Sequence, residues 1–225
     1  MTTPSPELKA KALRVHSLLL DHYGEPGVRE QRDPLSELVV TILSQNTADV
    51  NSSRAYASLR QWFANWYEVL AASNEEVAQV IRSGGLANIK AARIRHILRQ
   101  LHDQRGSLDL SFLDRMPVAQ ARQYLTSLPG VGPKTAACVL LFSLHKPALP
   151  VDTHVLRVSR RLGLIPAKAT AGKANLLLED LLPPEGYYPF HLSMIRHGRT
   201  LCKAAKPRCA ECPLTGDCDY VAAHE

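Results

Sequence analysis

The chain has 225 residues, enough for one large domain or two smaller ones with a real core. Its 45% hydrophobic and 21% charged residues are the proportions of an ordinary globular protein, and no apolar run is long enough to span a bilayer. A net charge of +6 and a pI near 9.2 point to an anionic partner, and an odd number of cysteines, five, argues against a disulfide framework. The N-terminal part has no signal-peptide pattern, because Leu18-Leu19-Leu20 is short and is followed by Asp21 and His22. A cytoplasmic location is therefore expected.

Nearly every segment reads as helix. Leu8, Ala12, Val15 and Leu19 repeat at helical spacing after Ser5-Pro6. Asp33-Pro34 starts a second helix, apolar through Leu43, with Asp33 as its cap. Thr47 is the predicted cap of a third, which runs through Tyr56, Leu59 and Phe63. Ser73-Asn74-Glu75-Glu76 is a capping box for the next, and Gly84-Gly85 stops it. Asn88 is the predicted cap of a helix reaching Leu101, on which Lys90, Arg93, His96 and Arg99 form a basic face of the kind that is usually solvated. Met116-Pro117 opens a helix ending near Leu128, and Pro133 opens another through Leu144. Asp152 and Thr170 cap helices reaching Leu162 and Leu182, and His191 to Cys202 is the last long helix. Strand alternation is absent, so the predicted fold class is all-α.

The helices on either side of Leu128-Pro129-Gly130-Val131-Gly132 make a helix-hairpin-helix over residues 117–145. Glycine permits positive φ and close backbone approach. Pro133 suits the first helical position, and the free amides of that turn, with the helix dipole, make an anion site. Nucleic-acid phosphate is one candidate anion. Lys134 stands in the first turn of the same helix, where the positive dipole end favours the neutral, nucleophilic amine. The helix from Pro133 travels roughly 18 Å. The proline-containing stretch from His145 to Asp152 can extend about 23 Å, so Asp152 can return to the level of Lys134.

Cys202, Cys209, Cys212 and Cys218 have the spacing Cys-x6-Cys-x2-Cys-x5-Cys, which is a metal site. The spacing alone leaves structural zinc and an iron–sulfur cluster both open. Cys138, within Ala136-Ala137-Cys138-Val139-Leu140, is expected in the core.

The run from Leu128 to Ala136, followed by Val151-Asp152-Thr153-His154, resembles the endonuclease III family of helix-hairpin-helix DNA glycosylases. Ile42-Leu43-Ser44-Gln45-Asn46-Thr47-Ala48-Asp49, Gly85-Leu86-Ala87-Asn88-Ile89-Lys90-Ala91 and His197-Gly198-Arg199 before Cys202 resemble further motifs of that family, in its order. The resemblance implies a bifunctional glycosylase and abasic-site lyase for oxidised or ring-saturated pyrimidines such as thymine glycol. Lys134 would be the nucleophile, and Asp152 would deprotonate it and stabilise positive charge on the sugar. The hairpin residues Leu128, Gly130, Val131 and Gly132 would contact DNA. Leu86 would act as a wedge and Gln45 or Asn46 would fill the gap left by a flipped base, while His154 and Arg157 would be phosphate or pocket contacts. Alignment on Asp49 places Asn46 at the family's glutamine, and Pro133 stands where a basic residue is common. The resemblance also decides for a [4Fe–4S] cluster on the four cysteines, structural in role, ordering a loop that holds Lys203, Lys206 and Arg208.

Two helical lobes are implied, with Lys134 and Asp152 facing across a DNA cleft. One is a helical barrel, residues 30–147. The other is an iron–sulfur domain, residues 148–225, with its cluster loop at 202–218 and an N-terminal helix, residues 1–29, packed against it. The expected partner is damaged double-stranded DNA, met by a monomer at the nucleoid with no membrane involved. Alternatives are a monofunctional mismatch or uracil-type glycosylase, against which Lys134 argues, and a non-catalytic helix-hairpin-helix DNA-binding protein. The adenine-mismatch branch is not expected, because no further recognition domain follows Cys218 in this sequence.

Overall fold

The computed structural model describes residues 3–27 and 29–224. These form α1 (Pro6–Tyr23), α2 (Pro34–Leu43), α3 (Asp49–Trp62), α4 (Trp66–Ala71), α5 (Asn74–Val80), α6 (Ala87–Arg105), α7 (Val118–Ser127), α8 (Pro133–Phe142), α9 (Thr153–Arg161), α10 (Ala171–Glu179), α11 (Tyr187–Thr200) and α12 (Asp219–Ala222). Short 3-10 turns lie between several of them, and there is no strand among the described residues. No helix there is long and apolar enough to cross a membrane.

The chain divides into two compact units. An inserted unit runs from Gln31 to His145, and a flanking unit is made of Met1–Glu30 with Lys146–Glu225. In the inserted unit α2 is the central helix, because Leu35, Leu38, Val39, Ile42 and Leu43 leave it almost no polar face, and all five are buried. It packs on α3, α6 and α8. Asp33 caps it, accepting from the Ser36 amide at 2.9 Å. The two ends of the unit are stitched together: Gln31 Nε2 donates to Ser143 O (2.9 Å) and Ser143 Oγ to Arg32 O (2.8 Å).

In the flanking unit α11 packs on both α1 and α9. Ala12, Val15 and Leu19 are the buried stripe of α1. Gly198 lets α11 approach α9, since a Cβ there would stand 2.9 Å from His154 Cβ. Polar side chains hold the backbone leading to Asp152: Glu179 accepts from the Leu149 amide (2.8 Å) and Asn175 donates to Leu149 O (2.7 Å). His191 Nδ1 bonds Pro150 O at 2.8 Å.

Asp33, Ser73, Asp152 and Thr170 cap their helices as their positions predict, and Ser5 caps α1. Three expectations need correction. Thr47 does not cap α3; Ala48 holds that position without a side-chain bond, and the Thr47 hydroxyl donates to Gly84 O. Asn88 lies inside α6, whose cap is Leu86 in the left-handed conformation. The basic residues of α6 do not share a solvated face: steps of three drift by about 60° each on a helix of 3.6 residues per turn, and Lys90 is only 2% exposed.

Candidate nucleic-acid interface and metal centre

In the hairpin the apolar side chains are anchors. Leu128 and Val131 are buried, so neither side chain is presented to DNA. The Val131 amide donates to Leu128 O (3.1 Å) and the Ala136 amide to Gly132 O (3.0 Å). The amides of Gly130 and Gly132, and those of Lys134 and Thr135 in the first turn of α8, find no acceptor among the described residues, and these are the donors left for an anion. The glycines serve different needs. Gly130 has φ +71°, and a Cβ there would lie 2.0 Å from Arg93 Nε, so Arg93 packs flat against it. Nothing lies within 4 Å of a Cβ built on Gly132, which leaves that position open to approach from outside.

Lys134 is half-buried in the first turn of α8 and has no hydrogen bond or ion pair within its unit. Its neighbour Thr135 is buried and its hydroxyl accepts from Gln45 Nε2 at 3.3 Å. Gln45 Oε1 accepts in turn from Arg93 Nη1. Gln45 is thus tied at both ends of its amide, whereas Asn46 beside it is exposed at φ +52°. Leu86 is 52% exposed at φ +50°. A non-glycine residue at positive φ is uncommon and needs support from its surroundings.

Lys90 is bonded to the backbone that precedes each of these residues. Its ammonium donates to Leu43 O (2.7 Å) and Gly84 O (2.8 Å), the buried last residues of α2 and of the 3-10 turn Arg82–Gly84. Burial lowers the Lys90 pKa, and the Arg93 charge adds to this. A cavity of about 820 Å³, lined by Asp33, Arg115, Ser143 and His145 among others, lies beyond the C-terminal end of α8. Lys134 is at the opposite end, roughly 15 Å away along a helix of this length, so that cavity is not its pocket.

In the flanking unit Asp152 caps α9 through one oxygen, Oδ1, which accepts from the amides of His154 and Val155 at 2.8 Å each. No bond to Oδ2 is formed within the unit. Arg157 has an internal role that its sequence position does not reveal. It donates to Cys202 O (3.1 Å from Nε) and Gly198 O (2.8 Å), and its Nη2 meets His154 Nδ1 at 3.2 Å. It therefore braces the turn that leads from α11 into the cysteine loop.

Cys202, Cys209, Cys212 and Cys218 line one pocket with Val158, Leu162 and Leu201. Hydrogen-bond donors face the sulfurs: the Leu214 amide reaches Cys212 Sγ at 3.4 Å and Arg161 Nη1 reaches Cys202 Sγ at 3.3 Å. Arg161 also donates to Lys203 O (2.7 Å) and Ala204 O (3.0 Å) and stacks over Tyr220 at 4.7 Å. Burial raises the Cys212 thiol pKa, partly offset by the Leu214 amide. His197 bonds Tyr23 Oη at 3.0 Å, and burial lowers its pKa to about 4. No three His, Cys, Asp or Glu side chains among the described residues converge as ligands of a single ion. Lys203 and Lys206 are exposed on the loop, and Arg208 pairs with Glu211. Cys138 is buried in α8.

Hairpin, lysine and helical fold define a class, the helix-hairpin-helix proteins of base excision DNA repair. The profile of the HhH-GPD superfamily of base excision DNA repair proteins matches residues 39–184. Endonuclease III of Thermotoga maritima is 36% identical over 195 residues, which is 87% of each chain. The DNA glycosylase/AP lyase ROS1 of Arabidopsis thaliana is 34% identical over 175 residues, which is 70% of this chain and 13% of that one. A solved non-covalent endonuclease III–DNA complex has a TM-score of 0.82 and 29% identity, covering 96% of this chain and 97% of that one. The chain belongs to the endonuclease III family of helix-hairpin-helix DNA glycosylases.

Proposed function

We propose that the protein is a bifunctional DNA glycosylase and abasic-site lyase for oxidised or ring-saturated pyrimidines, thymine glycol among them, in duplex DNA. The observation that carries this reading is Lys134: a primary amine without a partner in its unit, one residue into the helix that the phosphate-gripping hairpin opens. A monofunctional enzyme needs only an activated water, whereas an amine permits covalent catalysis. The base is first flipped out of the stack. Lys134 Nζ attacks C1′ and the base departs. The C1′–O4′ bond then opens, with O4′ taking a proton, to give a Schiff base; this acidifies the C2′ proton, and its loss breaks the C3′–O bond and expels the 3′ phosphate. The Asp152 carboxylate is assigned the lysine's proton and the positive charge that develops on the sugar, with Oδ1 fixing its orientation as a helix cap. The Gly130 and Gly132 amides are assigned to backbone phosphate, which positions DNA without reading its sequence.

Four thiols lining one pocket, with the Leu214 amide and Arg161 donating to sulfur, are a donor set suited to an iron–sulfur cluster, and we assign them to the [4Fe–4S] cluster that the family resemblance implies. Such a cluster supplies structural order to the loop between α11 and α12, and no step of the reaction needs its electrons. The purified protein should be coloured and carry iron with acid-labile sulfide; a colourless zinc protein refutes this assignment.

The test of the nucleophile is Lys134→Gln. The wild type should cut an abasic duplex 3′ to the lesion and be trapped on it by borohydride. The variant should do neither, while still binding that duplex. A trapped complex with Lys134→Gln overturns the assignment.

A further inference from the structure

We infer that Lys90 is a positioning residue that sets Asn46 and Leu86 as a pair for insertion into the duplex. This rests on the proposed glycosylase function, for which the family resemblance implies that Leu86 and either Gln45 or Asn46 fill the gap left by a flipped base.

The argument begins with a lysine where none is expected. Lys90 is 2% exposed, and burying an ammonium is costly unless it is fully hydrogen-bonded. An apolar residue of the same size would fill the space without that cost. Its donors therefore do something an apolar side chain cannot. They bind two carbonyls far apart in sequence, Leu43 O and Gly84 O. Leu43 lies three residues before Asn46, and Gly84 two before Leu86. Thr47, directly after Asn46, donates its hydroxyl to the same Gly84 oxygen. The two loops thus share one ammonium and one carbonyl, and neither can shift without the other. Each then places a left-handed, exposed residue, at φ +52° and +50°, on the outside of this joint.

One turn further along α6, Arg93 extends the brace. Its guanidinium lies against Gly130 of the hairpin and holds Gln45, whose other end holds Thr135 beside Lys134. The first two turns of α6 therefore connect both loops, the hairpin and the start of the lysine-bearing helix. Gln45 is part of this brace, which leaves Asn46 as the residue available to the duplex.

The experiment uses a duplex with an uncleavable abasic analogue and 2-aminopurine as the opposite base, whose fluorescence rises when it is unstacked. Saturating wild-type protein should raise the signal. Lys90→Gln, shown to be folded by its thermal melt, should lose at least about half of the rise. In the Asn46→Ala/Leu86→Ala background, adding Lys90→Gln should change the signal by less than about a tenth, because it acts through those residues. Thr47→Val removes the second link and should give a smaller loss in the same direction, which serves if Lys90→Gln does not fold. An undiminished signal in Lys90→Gln, or in Thr47→Val where that variant stands in, overturns the inference. So does an additive loss in the triple variant, or a wild type that produces no rise. A wild type that gives the rise but excises no base from any lesion duplex overturns the proposed function alone.

Discussion

Two glycines separated by one residue in the hairpin make the residue scale concrete. Gly130 is required by its own unit: its φ of +71° disfavours any side chain, and Arg93 occupies the space a Cβ would take. Gly132 has ordinary backbone, φ −92°, and open space around it. Gly130→Ala should therefore destabilise the protein by about 1–2 kcal/mol, the cost of the left-handed conformation alone. For a chain of this size that lowers Tm by about 2–8 °C. Gly132→Ala should leave the melting temperature unchanged within about 1 °C and instead weaken duplex binding. Calorimetry and a binding titration on the two variants separate the roles. Asp152 was legible as a cap because capping is local, decided by residues two and three positions on. Arg157 was not, because its acceptors Gly198 and Cys202 lie more than forty residues away in sequence.

At the scale of elements the same division holds. Ser5, Asp33, Ser73 and Thr170 sit directly before an apolar period, and each bonds an amide three residues on. Thr47 has the same local signature, yet its hydroxyl is claimed by Gly84, a partner no local rule contains. Asn65 shows the reverse. It caps α4 through the amides of Tyr67 and Glu68, and Glu68 accepts from the Ala64 amide, a reciprocal pattern visible in Asn65-Trp66-Tyr67-Glu68. Lys90 was illegible in principle, since periodicity places lysine outside and only tertiary structure supplies two carbonyls to satisfy it inside. The cysteine loop depends on one long side chain in a similar way. Arg161, at the end of α9, holds Lys203 O and Ala204 O and reaches a cysteine sulfur. Arg161→Ala should speed tryptic cleavage after Lys203 several-fold, with little change in the rest of the digest apart from the lost site at residue 161. An unchanged digest would show that the loop is held by other contacts.

At the scale of the whole molecule, the discontinuous chain is the main fact. The inserted unit has its own apolar centre on α2, and hydrogen bonds between Gln31, Arg32 and Ser143 bring its ends together. Residues 31–145 expressed alone should therefore fold and melt cooperatively; a fragment without a melting transition would show that its core is not self-sufficient. The flanking unit has no such independence from either part of its sequence. Tyr23 and Arg14 of the first segment bond Thr200 and Asp217 of the last. This division has a consequence for synthesis. On the ribosome, α1 emerges with Ala12, Val15 and Leu19 ready for burial, but α11 is separated from α1 by more than 160 residues. At about 5–20 residues per second, that is a wait of roughly ten to thirty seconds. During that time the stripe of α1 has no native partner within its unit, while the inserted unit can complete its fold. A segment made well before its partner is thus among the last to settle, and conditions that slow translation lengthen the interval in which it is open to chaperones and proteases.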